Sequence, residues 1–312
     1  MKHNKKGFTL IELLVVMSII ALLLSILVPA LGRARAQAQL LKDGTQVKSI
    51  GTGWVNWTGD HDGYYPVPGL EQRLEDTVLG AFQKGVGRED YLQNDHGSLL
   101  SLCLMNNLFT PDILMAPTEP NGGVYSMDDY DYDVYDSTST GWTFWDKDFK
   151  NELNAALGSS ETCNNSYGIM PLTGEHRLNN WKISARHSSS STLIGTRGPA
   201  LGVIDMDEPS LSLGFHGITN EWKGVLGFGD AHTEILDTFY PAEATFIDNN
   251  SGETMRDNIF AEETVAADAR YGDGLGSGSD TIITHISAGS ITGNPESSNP
   301  PKFGEVSEYR ND

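Results

Sequence analysis

The sequence predicts an α+β molecule. One long N-terminal helix, membrane-spanning in its first half and amphipathic in its second, packs on an antiparallel β-sheet head. Three observations lead there. Residues 8–28 are an apolar run in which only Thr9, Glu12, Ser18 and Ser25 are polar. Helix-favouring residues with apolar side chains three to four apart continue to about residue 58. Short β-rich segments bounded by Gly, Pro and acidic turns follow in the second half, and strands after a long helix indicate α+β.

The first element has the length of a bilayer span. Twenty-one residues at 1.5 Å each make a helix of about 31 Å, against a hydrocarbon core of about 30 Å. Charge distribution supports a membrane topology. Of 312 residues, 21 are basic and 42 acidic, a net of −21. Seven bases and two acids lie in residues 1–50, net +5, leaving 14 and 40 for residues 51–312, net −26. Lys2, Lys5 and Lys6 precede the span, so its N-terminal end stays cytoplasmic and the C-terminal body is exported; Arg33 and Arg35 oppose this weakly. A mean hydropathy of −0.31 excludes a polytopic membrane protein. The acidic surplus argues against nucleic acid as a partner, because such binding rests on Lys and Arg neutralising phosphates.

Past the span, Pro29 removes a backbone donor and should kink the helix. Leu40, Val47, Ile50, Trp54 and Trp57 form the stripe expected to lie on the head, while Gly44, Gly51 and Gly53 weaken the helix that carries it. Gly59–Pro66 reads as a turn, in which Asp60, His61 and Asp62 suit a tight bend or, less economically, a metal. Residues 71–116 look mostly helical and irregular. Strands are expected at 191–196, 201–206, 210–216, 224–229 and 232–236. From Gly272 onward the chain is rich in Gly, Ser, Asn and Pro, with Thr281–Ile286 as one candidate edge strand. The resulting division is a leader at 1–7, a transmembrane half-helix at 8–29, an amphipathic half-helix at 30–58, an exported head at 59–240 and a flexible C-terminal region at 241–312.

A secretory signal peptide, cleaved near Ala30, Ala34 or Ala36, and an uncut signal anchor both fit the span. Neither has a use for a carboxylate at position 12, which costs about 2.5–3.5 kcal/mol deep in a bilayer, although less near a helix end at the interface. The residues around it point further. Gly7-Phe8-Thr9-Leu10-Ile11-Glu12-Leu13-Leu14, after a short Lys-rich leader and with Pro29 closing the apolar run, resembles the processing motif of type IV prepilins and type II secretion pseudopilins. The resemblance covers about the first thirty residues. It implies a pilin-like fold, cleavage by prepilin peptidase between Gly7 and Phe8, and N-methylation of Phe8. It also implies assembly with other pilin-like subunits, as a homo- or hetero-polymer, on an inner-membrane secretion platform. A liberated Phe8 amine and the Glu12 carboxylate are each costly unpaired in a low dielectric and less so when paired between staggered helices. That pairing gives Glu12 a purpose.

A softer resemblance lies further on. Asn165-Ser166-Tyr167-Gly168, the polar run Ser188–Thr192 and Gly227-Phe228-Gly229-Asp230-Ala231-His232 are similar to large pseudopilin-like proteins, whose C-terminal motif is a His, nine residues, then Asp-Gly. Here thirteen residues separate His216 from Asp230, and Ala231 stands where the Gly belongs.

Other chemistry is sparse. Asp129, Asp131 and Asp133 alternate as in the start of an EF-hand, but Val134 occupies the sixth position and Thr140 the twelfth, where Gly and Glu are required. An irregular calcium loop on those three carboxylates and a solvated acidic loop remain as readings, and calcium is the one candidate cofactor. The Gly-rich run from Asp273 to Asp280 is a flexible linker by composition, with calcium again the alternative. His216, Asp230 and His232 make a hydrolytic metal site only if His187 or another ligand joins them. Cys103 and Cys163 suit one disulfide in an exported body or two buried thiols. No catalytic motif is present. The expected function is a non-enzymatic subunit of a periplasmic pseudopilus or surface filament, single-pass in the cytoplasmic membrane before assembly. The alternative is a displayed module binding a secreted protein or glycan through Tyr130, Tyr132, Tyr135, Trp142, Phe144 and Trp145.

Overall fold

The computed structural model describes residues 9–74, 86–136, 143–151, 162–172, 177, 180–183, 188–199, 202–204, 210–216, 221–247, 253–260, 291–292 and 305–306. Gly7, Phe8, Trp142, His187, the run 273–280 and the candidate strand 281–286 lie outside these residues.

Helix α1 (Leu10–Thr58) runs 49 residues, with Pro29 inside it. Its two halves meet different surroundings. Residues 9–38 are exposed, and an apolar window long enough to cross a membrane lies wholly uncovered by the rest of the chain. From Leu40 onward one face is buried through Asp43, Val47, Ile50, Trp54 and Trp57. The stripe expected from the sequence is therefore the packing face, and Asp43 is an unexpected member of it.

That face lies on a four-stranded antiparallel sheet in the order β1 (Tyr167–Ile169), β2 (Thr192–Thr196), β3 (Gly224–Phe228), β4 (Thr233–Leu236). Register pairs Gly168 with Gly195, Gly195 with Leu226 and Val225 with Ile235. Every residue of the three strands β1 to β3 is buried, because the sheet is covered on both sides. Alternation along β3 divides the work. Val225 joins the core that α1 covers, whereas Leu226 and Phe228 join a second core with Leu213, Trp222, Ala244, Ile259 and Phe260. Glycine permits the close approach of helix to strand: a Cβ on Gly227 would stand 2.8 Å from Val47 Cγ1 and 3.0 Å from Ile194 Cγ2. Gly53 likewise admits Leu108 and Phe109, which is why a weak helix former sits mid-face.

Helix α2 (Pro68–Glu71) is a single turn, and α3 (His96–Met105) supplies Leu99, Leu100, Cys103 and Leu104 to the main core. Asp95 caps α3 by accepting the Ser98 N–H at 2.9 Å. Among the described residues of the 71–116 region, helix is concentrated in α3, with 3-10 turns at Tyr91–Gln93 and Pro111–Leu114.

Several expectations are corrected. Residues 210–216 hold a 3-10 turn (Leu211–Gly214), because the Ser210 hydroxyl accepts the Ser212 N–H and starts a tight turn instead of a ladder. Residues 202–204 are not strand, whereas β1 was not foreseen. The packed core extends to Ile259 and Phe260, past residue 240, with a small hairpin of β5 (Thr245–Ile247) and β6 (Thr254–Arg256) between. A two-residue pair, β7 (Ile291–Thr292) with β8 (Glu305–Val306), lies further along. The disulfide is absent. Cys103 and Cys163 are buried thiols in separate clusters, Cys103 on α3 beneath α1 and Cys163 with Val124. Burial pushes the Cys103 thiol well above its usual range, and the Cys163 thiol donates to the Asn165 carbonyl at 3.1 Å.

Candidate functional site

The N-terminal motif begins, within the described residues, at Thr9. Thr9 has extended geometry (φ −83°, ψ 150°) and is the N-cap of α1. Its hydroxyl accepts the Glu12 N–H at 3.2 Å, while the Glu12 carboxylate accepts the Thr9 N–H and the Thr9 hydroxyl, each at 2.8 Å. This is a capping box. Threonine and a glutamate three residues later satisfy two orphan donors of the first turn reciprocally, and a negative charge sits at the positive helix end. The pattern Thr-x-x-Glu stood in the sequence at residues 9–12 and was the legible signal for it. Glu12 is therefore satisfied within its own chain.

Residues 29–38 follow the span as exposed helix, about 15 Å long, before the head begins to cover α1 at Leu40. Their only charges are Arg33 and Arg35.

At the junction of helix and head, Asp43 is 0% exposed on the buried face of α1. Its carboxylate accepts from the Tyr167 hydroxyl on β1 at 2.5 Å, the Thr196 hydroxyl on β2 at 3.1 Å and His216 Nε2 at 2.8 Å. Three elements distant in sequence thus converge on one helix residue. His216 Nδ1 faces the Thr118 hydroxyl at 3.4 Å. Burial and the Asp43 charge push the Tyr167 phenol well above its usual range, so it remains a donor. Beside this group Arg197, 1% exposed, pairs with Glu119 at 2.5 Å, donates to the Ser166 carbonyl at 3.1 Å and lies 5.1 Å over the Phe215 ring.

His216 is thereby separated from the residues it was grouped with. Asp230 and His232 pair with each other at the β3–β4 turn, where His232 stacks on Phe228 at 4.2 Å. Ala231 adopts the left-handed conformation (φ 63°) that the Gly of the resembled motif would take without strain. The turn meets α1 at Gly51, where a Cβ would lie 3.6 Å from the Ala231 methyl.

The acidic loop is fixed at one end and exposed at the other. Tyr130 is buried and its hydroxyl donates to the Ser101 carbonyl of α3 at 2.7 Å; burial raises its phenol to about 12. Asp128, Asp129, Asp131 and Asp133 are exposed, and Asp131 accepts the Asp133 N–H at 2.8 Å in a local turn. Among the described residues no three His, Cys, Asp or Glu side chains come together to hold a metal ion. Asp129, Asp131 and Asp133 alternate on an exposed segment that turns on itself. Asp60-His61-Asp62 is likewise a turn, with Asp62 (φ 54°) and Gly63 (φ 80°) left-handed and His61 stacked on Trp57 at 3.8 Å. Of the aromatic residues, Phe144 and Trp145 are buried against Trp57 and Leu102, while Tyr132 and Tyr135 are exposed.

Neither a curated protein nor a solved structure matches the chain. Residues 2–28 match the family described as the prokaryotic N-terminal methylation motif. The chain therefore carries a prokaryotic N-terminal methylation motif of the type IV prepilin-like kind, leading into a helix long and apolar enough to cross a membrane, and that helix packs on an antiparallel sheet in an α+β, pilin-like arrangement.

Proposed function

We propose that this protein is a non-enzymatic, pilin-like subunit. Prepilin peptidase cuts it between Gly7 and Phe8 and methylates Phe8, and it then polymerises through its N-terminal helix into a periplasmic pseudopilus or surface filament. The single observation that supports this best is the methylation motif laid on an apolar half-helix whose described residues are all exposed. Before assembly the span sits in the cytoplasmic membrane with its N-terminus inside and the head outside.

Glu12 is the working residue. In the single chain its carboxylate caps α1. In a staggered stack, a helix displaced by about four residues, or 6 Å, brings its Phe8 amine to that carboxylate. Exchange of a neutral cap for a charged partner favours the stack, because both charges lie in a low dielectric where an isolated one is costly. Pro29, which leaves the Ser25 carbonyl without its helical donor, is the proposed point where the helix bends as subunits pack.

Two substitutions separate capping from charge. Glu12→Gln keeps a side-chain acceptor for the Thr9 N–H and removes the charge, whereas Glu12→Ala removes both. Cleavage at Gly7 should persist in both variants, and incorporation into filaments should fall in both to a similar extent. Normal incorporation of Glu12→Gln would overturn the assembly role of the charge.

A further inference from the structure

We propose that copies of this chain also meet head to tail. The exposed basic collar of one copy, Arg33, Arg35 and Lys42, docks on the acidic-aromatic loop of another, Asp128, Asp129, Asp131 and Asp133 with Tyr132 and Tyr135. The proposal rests on the filament reading above and specifies a second subunit contact within it.

The two surfaces lie at opposite ends of the same helix. Arg33 and Arg35 occupy the uncovered stretch of α1 below the head, and Lys42, seven residues from Arg35, lies two turns further on the same side. All three are exposed, and among the described residues none forms an ion pair. The loop sits at the other end. Tyr130 is tied to Ser101 of α3, and Tyr135 packs edge-on against Phe144, which belongs to the cluster around Trp57, one residue from the end of α1. The four carboxylates of the loop are exposed and, among the described residues, none forms an ion pair, and Tyr132 and Tyr135 are 43% and 47% exposed. Lys147 and Lys150 lie nearby, but the Lys150 ammonium is turned back onto the Lys147 carbonyl at 2.8 Å.

Opposite charges at the two ends of one axis define a heterologous contact, and such a contact, displaced along the axis at each step, propagates as an open filament where it does not close into a ring. Its offset follows from the helix: Arg35 to Trp57 is about 33 Å. The Glu12 contact needs only about 6 Å. Each copy therefore meets two different neighbours, both displaced in the same direction away from the membrane. The chemistry of extraction favours the same partner. Before assembly Arg33 and Arg35, five and seven residues past the end of the span, lie at the level of lipid phosphates. A subunit drawn out of the bilayer loses those anions, and the carboxylates of the copy below replace them. Guanidinium groups also stack on exposed tyrosine rings, which suits arginine in the collar and tyrosine in the loop.

The test is a charge exchange in the full chain, expressed where it is processed and assembled, with the sedimentable filament fraction as the readout. Reversal of the collar (Arg33→Glu, Arg35→Glu, Lys42→Glu) and reversal of the loop (Asp129→Lys, Asp131→Lys, Asp133→Lys) should each lower that fraction about tenfold, since like charges then face each other. The combined variant should recover most of it. Unchanged assembly in either single reversal, or no recovery in the combination, overturns the proposal. So does a collar reversal that assembles normally but loses binding to vesicles of phosphatidylglycerol, which makes the bilayer the collar's partner. Filaments that depend on Glu12 but ignore the charge exchange remove this contact alone. Absence of filaments from the unaltered chain removes the filament reading with it.

Discussion

Asp43 is the residue on which the attachment of stalk to head turns. A carboxylate with no exposure is tolerated because Tyr167, Thr196 and His216 all donate to it. Removal of Asp43 leaves three buried donors facing nothing, and each buried donor left unsatisfied costs about 1–3 kcal/mol. Asp43→Ala should therefore lower the unfolding midpoint of the full chain in detergent strongly, and Asp43→Asn, which keeps an acceptor, less so; equal midpoints for Asp43→Ala and the unaltered chain would be the contrary result. Ala231 presents the opposite case. Its left-handed backbone costs about 1–2 kcal/mol in any residue with a Cβ, and glycine recovers that at some cost in unfolded-chain entropy. Ala231→Gly should stabilise by about 0.5–1 kcal/mol. Destabilisation in the same unfolding measurement would mean that the methyl against Gly51 matters more than the backbone.

The helix and the sheet were not equally legible. A run of apolar residues long enough for a bilayer, and a stripe at helical spacing from Leu40 to Trp57, carry their own periodicity, so α1 could be read to within a residue or two of Thr58. Strands β2, β3 and β4 showed β-rich runs between turn residues. β1 did not, because three buried residues next to Asn165 and Ser166 are too short for any period and gain strand geometry only by pairing with β2. The 3-10 turn at Leu211 misled for a local reason: an apolar alternation there is overruled by the Ser210 cap. Asp43 escaped notice because a lone acid between Lys42 and Gly44 looks like solvated surface, and only the tertiary arrangement supplies its three donors. The capping box, by contrast, is written in the sequence as Thr9-x-x-Glu12, in the same glutamate that carries the longer-range signal.

At the same scale, the seat of α1 on β3 depends on a missing side chain. Gly227→Ala places a methyl 2.8 Å from Val47 Cγ1, and overpacking of this kind costs about 1–3 kcal/mol. Thermal unfolding of the full chain should shift down accordingly, with a matching relief in the paired variant Gly227→Ala, Val47→Ala. α3 contributes a pH dependence. Burial holds His96 neutral, its proton affinity pushed down to about 3, while its Nε2 donates to the Met170 carbonyl at 3.2 Å. The unfolded chain takes up a proton at this residue near the ordinary pKa of about 6.5 and the folded chain does not, so stability falls as pH drops from there towards 3, by up to about 1.4 kcal/mol per unit. Asp95, raised by burial, works in the opposite direction at the acid end of that window. Urea unfolding between pH 7 and 4.5 should show the decline, and His96→Gln should flatten it. An undiminished slope in His96→Gln would assign the effect elsewhere.

For the whole molecule, the division of labour is spatial. The first thirty or so residues hold the methylation motif and an apolar run long enough to cross a membrane, and the head begins only where Leu40 turns inward. Charge follows the same axis, basic at the collar and −26 over residues 51–312. Identical heads of that charge repel when stacked, although about 0.15 M salt limits the effect to about 8 Å. Assembly should consequently weaken at low ionic strength if repulsion between heads dominates and strengthen there if the collar-to-loop contact does; filament yield at 20 mM against 200 mM salt separates the two. Both effects presuppose that a mature chain exists with a free amine beside Glu12.

Mass spectrometry of the N-terminus of the full-length protein recovered from membranes measures that directly. The expected result is a chain that begins at Phe8 with a methylated α-amine. A chain that retains Met1, or that starts beyond residue 30, contradicts processing at Gly7 and with it the assembly role of Glu12.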